Sequence, residues 1–260
     1  MNIKHLIKIV LLAATLLSFA VSLSWADELF SFKVGYQHLT PDGSLSVEGD
    51  GIDATSVSIE NDFDLEKSDE LTLEAALQLG SFRLSAAYQP IRFSGNNVLT
   101  KEIDFNGETF LANSHVKSNV DIDIYEAGIA WHLINFDDLP TRVQFGPELA
   151  VKYLDADLAL DGETAGGVTT TSESVKAAIP TVGLRGRVAI ADALGIVGRV
   201  GYMEYQDSSF LDFDAQVEYS PLPMVGIYAG YRYMDVDLDK SDVELDATFD
   251  GPYIGALIRF

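Results

Sequence analysis

Three of the four histidines, those that follow residues 1–26, could act as catalytic bases. An imidazole does so when a hydroxyl nucleophile and an orienting carboxylate lie beside it. His38 falls at the outer end of an alternating segment, His115 in a loop arm and His132 near a short turn. No Ser/His/Asp constellation is visible, so we predict that the chain is not an enzyme and uses no cofactor.

Aspartates recur at a spacing of two residues, which places each set on one face of a strand. The sets are Asp121 with Asp123, Asp155 with Asp157, and Asp235 with Asp237 and Asp239. Carboxylate oxygens are suitable calcium ligands. The last run does not complete an EF-hand, because Lys240 stands where glycine is needed and Asp246 replaces the closing glutamate. We therefore expect a solvated acidic face and no metal site, with Asp235, Asp237 and Asp239 as the candidates to test.

Most of the chain alternates between apolar and polar residues, which is the period of a strand with two different faces. The first such segment has Phe30, Phe32, Val34 and Tyr36 on its apolar face. About ten segments repeat the pattern, and eight is the alternative count. Short turns alternate with long loops, as in an antiparallel up-and-down transmembrane β-barrel.

Three local signals refine this prediction. Pro90 lacks an N–H group and predicts a bulge, after which Ile91 and Phe93 would take over the apolar face. The pair Asn106–Gly107 predicts a type I′ hairpin that projects beyond the membrane. The Gly/Thr-rich stretch 161–171 predicts a loop.

The last ten residues, 251–260, carry the most specific pattern. Ile254, Ala256, Ile258 and Phe260 share one face and end the chain on an aromatic residue. This strand resembles the final strand of bacterial outer-membrane β-barrels of the small OmpA- and OmpW-like class. The resemblance implies that Phe260 is a signal read by the barrel-assembly machinery. The motifs with which omptin-like proteases and lipid A-modifying barrels place a histidine at the outer rim are not matched here.

The arginines of the alternating segments all fall on the polar face, together with several carboxylates, whereas the lysines lie mostly in loops. In a narrow barrel this face lines the lumen, where the arginine fork pairs with carboxylates through two hydrogen bonds. The predicted lumenal ion-pair network consists of Glu74, Arg83, Glu126, Arg142, Glu148, Lys152, Arg185, Arg187, Arg199, Asp212, Glu218, Arg232 and Arg259. A barrel of eight to ten strands is nearly filled by side chains, which favours a structural network over an open pore.

The composition and the first residues of the chain indicate where the protein resides. Forty acidic residues against seventeen basic ones give a net charge of −23, which repels nucleic acid. There is no cysteine, so no disulfide can form. Residues 1–26 carry Lys4 and Lys8 before an apolar run and end in Ser24-Trp25-Ala26, which is typical of a cleaved signal peptide. Residues 27–260 would then form one barrel domain.

Together these patterns predict a monomeric β-barrel in the outer membrane of a Gram-negative bacterium. Its partners would be membrane lipid, lipopolysaccharide and the barrel-assembly machinery. Acidic extracellular loops would give it a structural or surface-interaction role. The alternatives are a narrow passive channel for small solutes and a soluble secreted β-protein.

Overall fold

The computed structural model describes residues 29–260 apart from 48–56, 60–61, 137–141, 192, 207, 223 and 241–242. The predicted signal peptide, residues 1–26, lies outside the described residues. Among the described residues, no helix is long and apolar enough to cross a membrane. The strands are β1 (Phe30–Val47), β2 (Val57–Ser58), β3 (Ser68–Leu79), β4 (Phe82–Val98), β5 (Ile103–Phe105), β6 (Glu108–Phe110), β7 (His115–Trp131), β8 (Ile134–Phe136), β9 (Arg142–Thr164), β10 (Gly167–Ala191), β11 (Leu194–Tyr205), β12 (Ser208–Leu222), β13 (Val225–Lys240) and β14 (Val243–Arg259).

Ten long strands form a closed antiparallel barrel, in the order β1, β3, β4, β7, β9, β10, β11, β12, β13, β14 and back to β1. At the seam between the first and last strands, Phe32 lies opposite Ile258. Phe30 N donates to Phe260 O (3.0 Å) and Phe260 N donates to Phe30 O (2.8 Å). The structure therefore confirms the all-β barrel fold and its ten strands, and excludes the count of eight.

The outward face carries an apolar belt. Leu71 and Val182 are 61% and 64% exposed on this face, as suits side chains that contact lipid. On β9 the belt runs from Phe145 to Tyr153, about the length that a tilted strand needs to cross a bilayer. Phe82 and Trp131 stack at its inner end, with their ring centroids 6.0 Å apart. These aromatic residues match the inner of the two interfacial girdles that such barrels carry.

A ring of tyrosine–carboxylate pairs marks the outer boundary of the belt. Each tyrosine hydroxyl donates to a nearby outward-facing carboxylate. The pairs are Tyr88 with Asp123 (2.8 Å), Tyr202 with Glu204 (2.8 Å), Tyr233 with Asp235 (3.0 Å) and Tyr231 with Asp250. Their aromatic rings are apolar and their carboxylates need water, so the membrane ends at this level.

Beyond this boundary the polarity of the two faces reverses. Ile91 and Phe93 are 1% and 2% exposed inside the barrel, where Phe93 stacks on Phe249 with ring centroids 5.6 Å apart. The predicted bulge at Pro90 is therefore wrong, since the β4–β7 register passes through Pro90 without a shift. Above the lipid the outward face meets water, so the apolar residues of a regular strand now turn inward. They form an apolar plug of Leu39, Ile59, Ile91, Phe93, Ile122, Ile124, Ile179, Phe210, Met234, Val236, Ala247 and Phe249.

The β5–β6 hairpin covers the outer mouth. Its turn residues Asn106 and Gly107 have φ angles of 48° and 78°, as a type I′ turn requires, which confirms the predicted turn. However, the hairpin does not project freely. Ile103, Phe105 and Phe110 are at most 2% exposed and pack with residues of β7 and β9. Hydrophobic burial therefore folds the hairpin over the lumen.

The stretch 161–171 is not the loop that its composition predicts. β9 continues to Thr164 and β10 begins at Gly167, so a turn of two residues joins strands of 23 and 25 residues. β-Branched Thr and Val residues favour the extended conformation. The β9–β10 hairpin thus rises well above the membrane.

The reversal of polarity yields the first prediction. Phe93→Ala should lower the free energy of unfolding by about 3–5 kcal/mol, because it opens a cavity in the apolar plug. Tyr205→Ala, at an aromatic side chain that is 69% exposed, should change it by less than about 0.5 kcal/mol. Urea unfolding of the refolded protein in lipid vesicles measures both. Equal losses would show that Phe93 does not lie in a packed interior.

Candidate functional site

The lumen at the level of the membrane holds a network of buried charged side chains. Nine of the ten barrel strands contribute at least one, because every second residue of a strand points inward. One chain of ion pairs connects Lys33, Glu74, Arg83, Glu126, Glu148, Lys152, Arg185, Arg187, Arg199, Asp212, Glu218 and Arg259. Within the membrane, side chains from opposite walls therefore fill the barrel.

Lys152 lies at the centre of this network. Its Nζ is 2.7 Å from Asp212 Oδ2 and also contacts Glu126. Arg199 donates to the same two carboxylates, with NH2 2.7 Å from Asp212 Oδ2. Lys152, Asp212 and Glu126 are 1%, 2% and 5% exposed, so water does not reach them. Buried charges of this kind are tolerated only when they are paired.

Glu218 gathers cations nearer the inner end. Lys33 Nζ is 3.0 Å from its Oε1, Arg187 NH2 is 3.5 Å from its Oε2, and Arg259 contacts it directly. Lys33 is on β1, Arg259 on β14 and Glu218 on β12. The network therefore ties the seam strands β14 and β1 to β12, which lies two strands from β14.

Glu74 links this inner group to the rest. It accepts from Arg83 NH2 at 3.1 Å and lies 3.9 Å from Arg185 NH2. Arg185 in turn reaches Glu148 at 3.4 Å. Carboxylates therefore alternate with cations along the whole chain of ion pairs.

A second, separate pair lies beside the network. Arg232 NH2 is 3.2 Å from Asp214 Oδ2, and the Tyr253 hydroxyl donates to Asp214 Oδ1 at 3.0 Å. Next to them is a cavity of about 30 Å³, lined in part by Gln37 and Tyr228. A cavity of this size holds about one water molecule. It is far too small for an organic solute.

Glycines let two tyrosines lie against the wall near the seam. A Cβ at Gly35 or Gly255 would come within 2.6 Å of the Tyr228 ring or hydroxyl, and one at Gly230 within 2.4 Å of Tyr253. The two rings meet edge to face, with their centroids 5.9 Å apart. This covering of strand glycines by aromatic rings adds bulk that further fills the lumen.

The structure brings together most of the residues that the sequence predicts for the network. Eleven of the thirteen belong to the connected network, and Arg232 forms the adjacent pair. Arg142 does not belong to it, because it is exposed at the first residue of β9 and forms no ion pair in the part of the chain that the structure describes. The sequence prediction missed Lys33 and Asp214. Both occupy inward positions, between Phe32 and Val34 and next to Phe213, and this alternation was the signal that could have identified them.

The three described histidines lie at different places in the barrel. His38 Nδ1 lies 2.7 Å from Asp69 Oδ1 on the outer surface, and this hydrogen bond holds the pKa of the Asp69 carboxyl below its ordinary value. His132 is buried at the other end of the barrel beside Gln78, and His115 is exposed at the start of β7. In the described ranges no serine or threonine hydroxyl hydrogen-bonds to a histidine.

The aspartate sets lie on the outward face above the membrane. Asp121 and Asp123 face Asp157 and Asp155 across β7 and β9. Arg92 contacts the first two, and Lys176 contacts Asp155 at 2.9 Å. Cations therefore neutralise part of this surface.

Asp235 accepts hydrogen bonds from Tyr233 and Thr248. The side chain of Asp239 lies outside what the structure describes. No group of three metal-ligating residues occurs among the described side chains.

Known proteins share this architecture. A family model described as YfaZ precursor matches residues 94–260. The outer membrane protease OmpT from Escherichia coli aligns with 92% of this chain and 99% of its own, at 10% identity and a TM-score of 0.56. The translocator domain of the autotransporter NalP from Neisseria meningitidis aligns with 99% of this chain and 97% of its own, at 10% identity and a TM-score of 0.46.

The attachment invasion locus protein Ail of Yersinia pestis aligns with 90% of this chain and 100% of its own, at 12% identity and a TM-score of 0.34. No curated protein matches the sequence. At 10% identity, the likeness to OmpT shows the barrel fold alone.

The burial of the network yields the second prediction. Lys152→Met should lower the free energy of unfolding by about 3–5 kcal/mol, because Glu126 and Asp212 lose a cation in a water-free interior. The same substitution at Lys176, which pairs with Asp155 in solvent, should change it little. Urea unfolding in lipid vesicles measures both variants. Adding Asp212→Asn to Lys152→Met should restore part of the loss, and an additive double variant would contradict the proposed coupling.

Proposed function

Because the chain belongs to the YfaZ precursor family and folds as a ten-stranded barrel, we propose that it is a sealed structural and surface-interaction protein of the cell envelope. The chain is an integral β-barrel protein of the Gram-negative outer membrane. Its apolar belt contacts lipid, and its long hairpins rise on the outer side. The observation that carries the proposal is that buried side chains occupy the described lumen at two levels, as an ion-pair network within the membrane and as the apolar plug above it.

Two different kinds of side chain occupy the lumen. At the level of the membrane the ion-pair network packs the interior, and Lys152 at its centre is 1% exposed. Above the membrane the apolar plug takes over, with Phe210 1% exposed next to the Lys152 ammonium group. An ion would have to break buried ion pairs and then cross a dry apolar layer, and both steps cost several kcal/mol. These features support a closed barrel over a narrow passive channel.

The outer surface supports the surface-interaction part of the proposal. The strands extend past the membrane and carry outward-facing carboxylates, among them Asp121, Asp157 and Asp237. The surroundings of the protein are membrane lipid and lipopolysaccharide, and it acts as a monomer without nucleic acid or cofactor. Catalysis is not part of this proposed role. Phe260, whose backbone closes the seam, is the signal for the assembly machinery.

The test is ion conductance, which gives the third prediction. Purified protein in planar bilayers should show no discrete current steps, whereas a porin in the same bilayers should show them. Insertion of the folded barrel is checked in parallel by protease protection in vesicles of the same lipid. Discrete steps from the inserted, folded protein would refute the sealed barrel and favour the narrow passive channel.

A further inference from the structure

β10 has one long edge beside which no other described strand lies. It pairs with β9 from Gly167 to Ala189, but with β11 only from Val182 onward. The β11 ladder stops just short of Pro180, which has no N–H to donate. In the part of the chain that the structure describes, no strand pairs with residues 167–181 on this side. Ser172 O accepts a hydrogen bond from Asn106 Nδ2 of the β5–β6 hairpin at 3.2 Å. The other backbone groups on that edge have no strand beside them in the described structure and are available to an added strand.

The open edge lies immediately outside the membrane. On β10, Val182 stands opposite Tyr202, which belongs to the ring of tyrosine–carboxylate pairs at the outer boundary. The short hairpin of β11 and β12 ends near this level, at Tyr205 and Ser208. The hairpins on either side, β9–β10 and β13–β14, continue upward. The wall therefore has a notch between β10 and β13, about 14 Å wide if three strand spacings are counted.

The two faces of the notch differ in chemistry. On the inner side Ile179 and Phe210 are 4% and 1% exposed, and Ala177 and Met203 pack against the same apolar plug. On the outer side stand Asp157 and Glu204, as well as Asp155 with its partner Lys176. A strand added at the edge would point alternate side chains at these two faces.

We propose that the open edge of β10 is a strand-addition site for an extended peptide segment with a basic residue at every second position. Main-chain hydrogen bonds to residues 167–178 would supply affinity, and the added strand would replace the Asn106 side chain at Ser172 O. The alternating side chains would supply specificity, apolar ones toward the plug and basic ones toward the carboxylates. A second copy of this chain fits less well, because two acidic rims would face each other. The site gives a ligand class to the surface role proposed above and rests on it.

The probe is a fluorescein-labelled decapeptide of alternating lysine and valine, titrated onto the refolded full chain in lipid nanodiscs. Fluorescence anisotropy should show saturable binding, and a peptide of alternating glutamate and valine should bind at least tenfold more weakly. Asp157→Asn should weaken binding of the basic peptide several-fold. Asp42→Asn removes an exposed carboxylate on β1, across the barrel, and should leave binding unchanged. Equal losses in these two variants would overturn the proposed location.

Main-chain recognition is tested separately from charge. Two further lysine–valine peptides carry N-methyl groups on all lysine amides or on all valine amides. An added strand bonds through one of its edges, so at least one of these peptides should lose tenfold or more in affinity. If both bind as tightly as the unmodified peptide, the attraction is electrostatic only and the strand-addition site is refuted.

The absence of native cysteine permits a direct test of position. Thr170→Cys lies outward on the open edge, and Asn119→Cys lies outward on β7, which is paired on both sides. A peptide with an activated disulfide at its centre should form a mixed disulfide with the Thr170→Cys variant at least tenfold faster than with the Asn119→Cys variant. Equal trapping rates would refute the site. A protein that stays non-conducting but binds no peptide loses this proposal alone, and a conducting protein loses the sealed-barrel proposal.

Discussion

The absence of water in the bilayer core is the constraint on which this structure depends. A backbone amide in lipid must find its partner within the protein, and a sheet can satisfy all of its amides only by closing on itself. The seam between β1 and β14 therefore decides whether the fold can exist at all. Closure also fixes which residues point inward, and so it determines the chemistry of the lumen.

Charges of opposite sign are distributed differently on the two sides of the barrel wall. The chain as a whole carries a charge of −23, yet its lumen holds eight cations against six carboxylates. The cations are Lys33, Arg83, Lys152, Arg185, Arg187, Arg199, Arg232 and Arg259. Many of the other acidic groups that the structure describes, among them Asp121, Asp157 and Asp237, stand in water on the outer side, where each costs little. Because of this distribution, the charged side chains of the interior are closely paired, while the outer surface remains strongly negative.

The alternation in the sequence was enough to predict the barrel, the direction of most spanning residues and most of the network. It failed where the solvent changes. Ile91 and Phe93 follow the same alternation as Phe82 and Leu84, but on the opposite face, because the outward side meets water beyond the tyrosine ring. A periodicity argument that assumes lipid throughout must misplace them.

Other limits have different causes. Arg142 occupies an inward position but lies at the end of a strand. There its guanidinium group reaches solvent at a lower free-energy cost than it would reach a buried carboxylate. Lys33 was missed because lysine was assigned to loops by residue type, although its position was inward. Which charges pair across the lumen could not be read from the chain at all. Glu126 and Arg199 are 73 residues apart and meet only because the sheet closes.

The origin of the network in nine of the ten strands has a consequence for how the barrel forms. An open sheet would hold Lys33 on β1 far from Glu218 on β12, so this ion pair can form only after the last edge docks. Most stabilising contacts therefore arise between residues distant in sequence, which makes folding slow and highly cooperative. The same property should make the finished barrel hard to unfold piecemeal, since loosening one strand exposes unpaired charges belonging to several others. Such an interior therefore provides kinetic stability, more than equilibrium stability, to a protein at a cell surface.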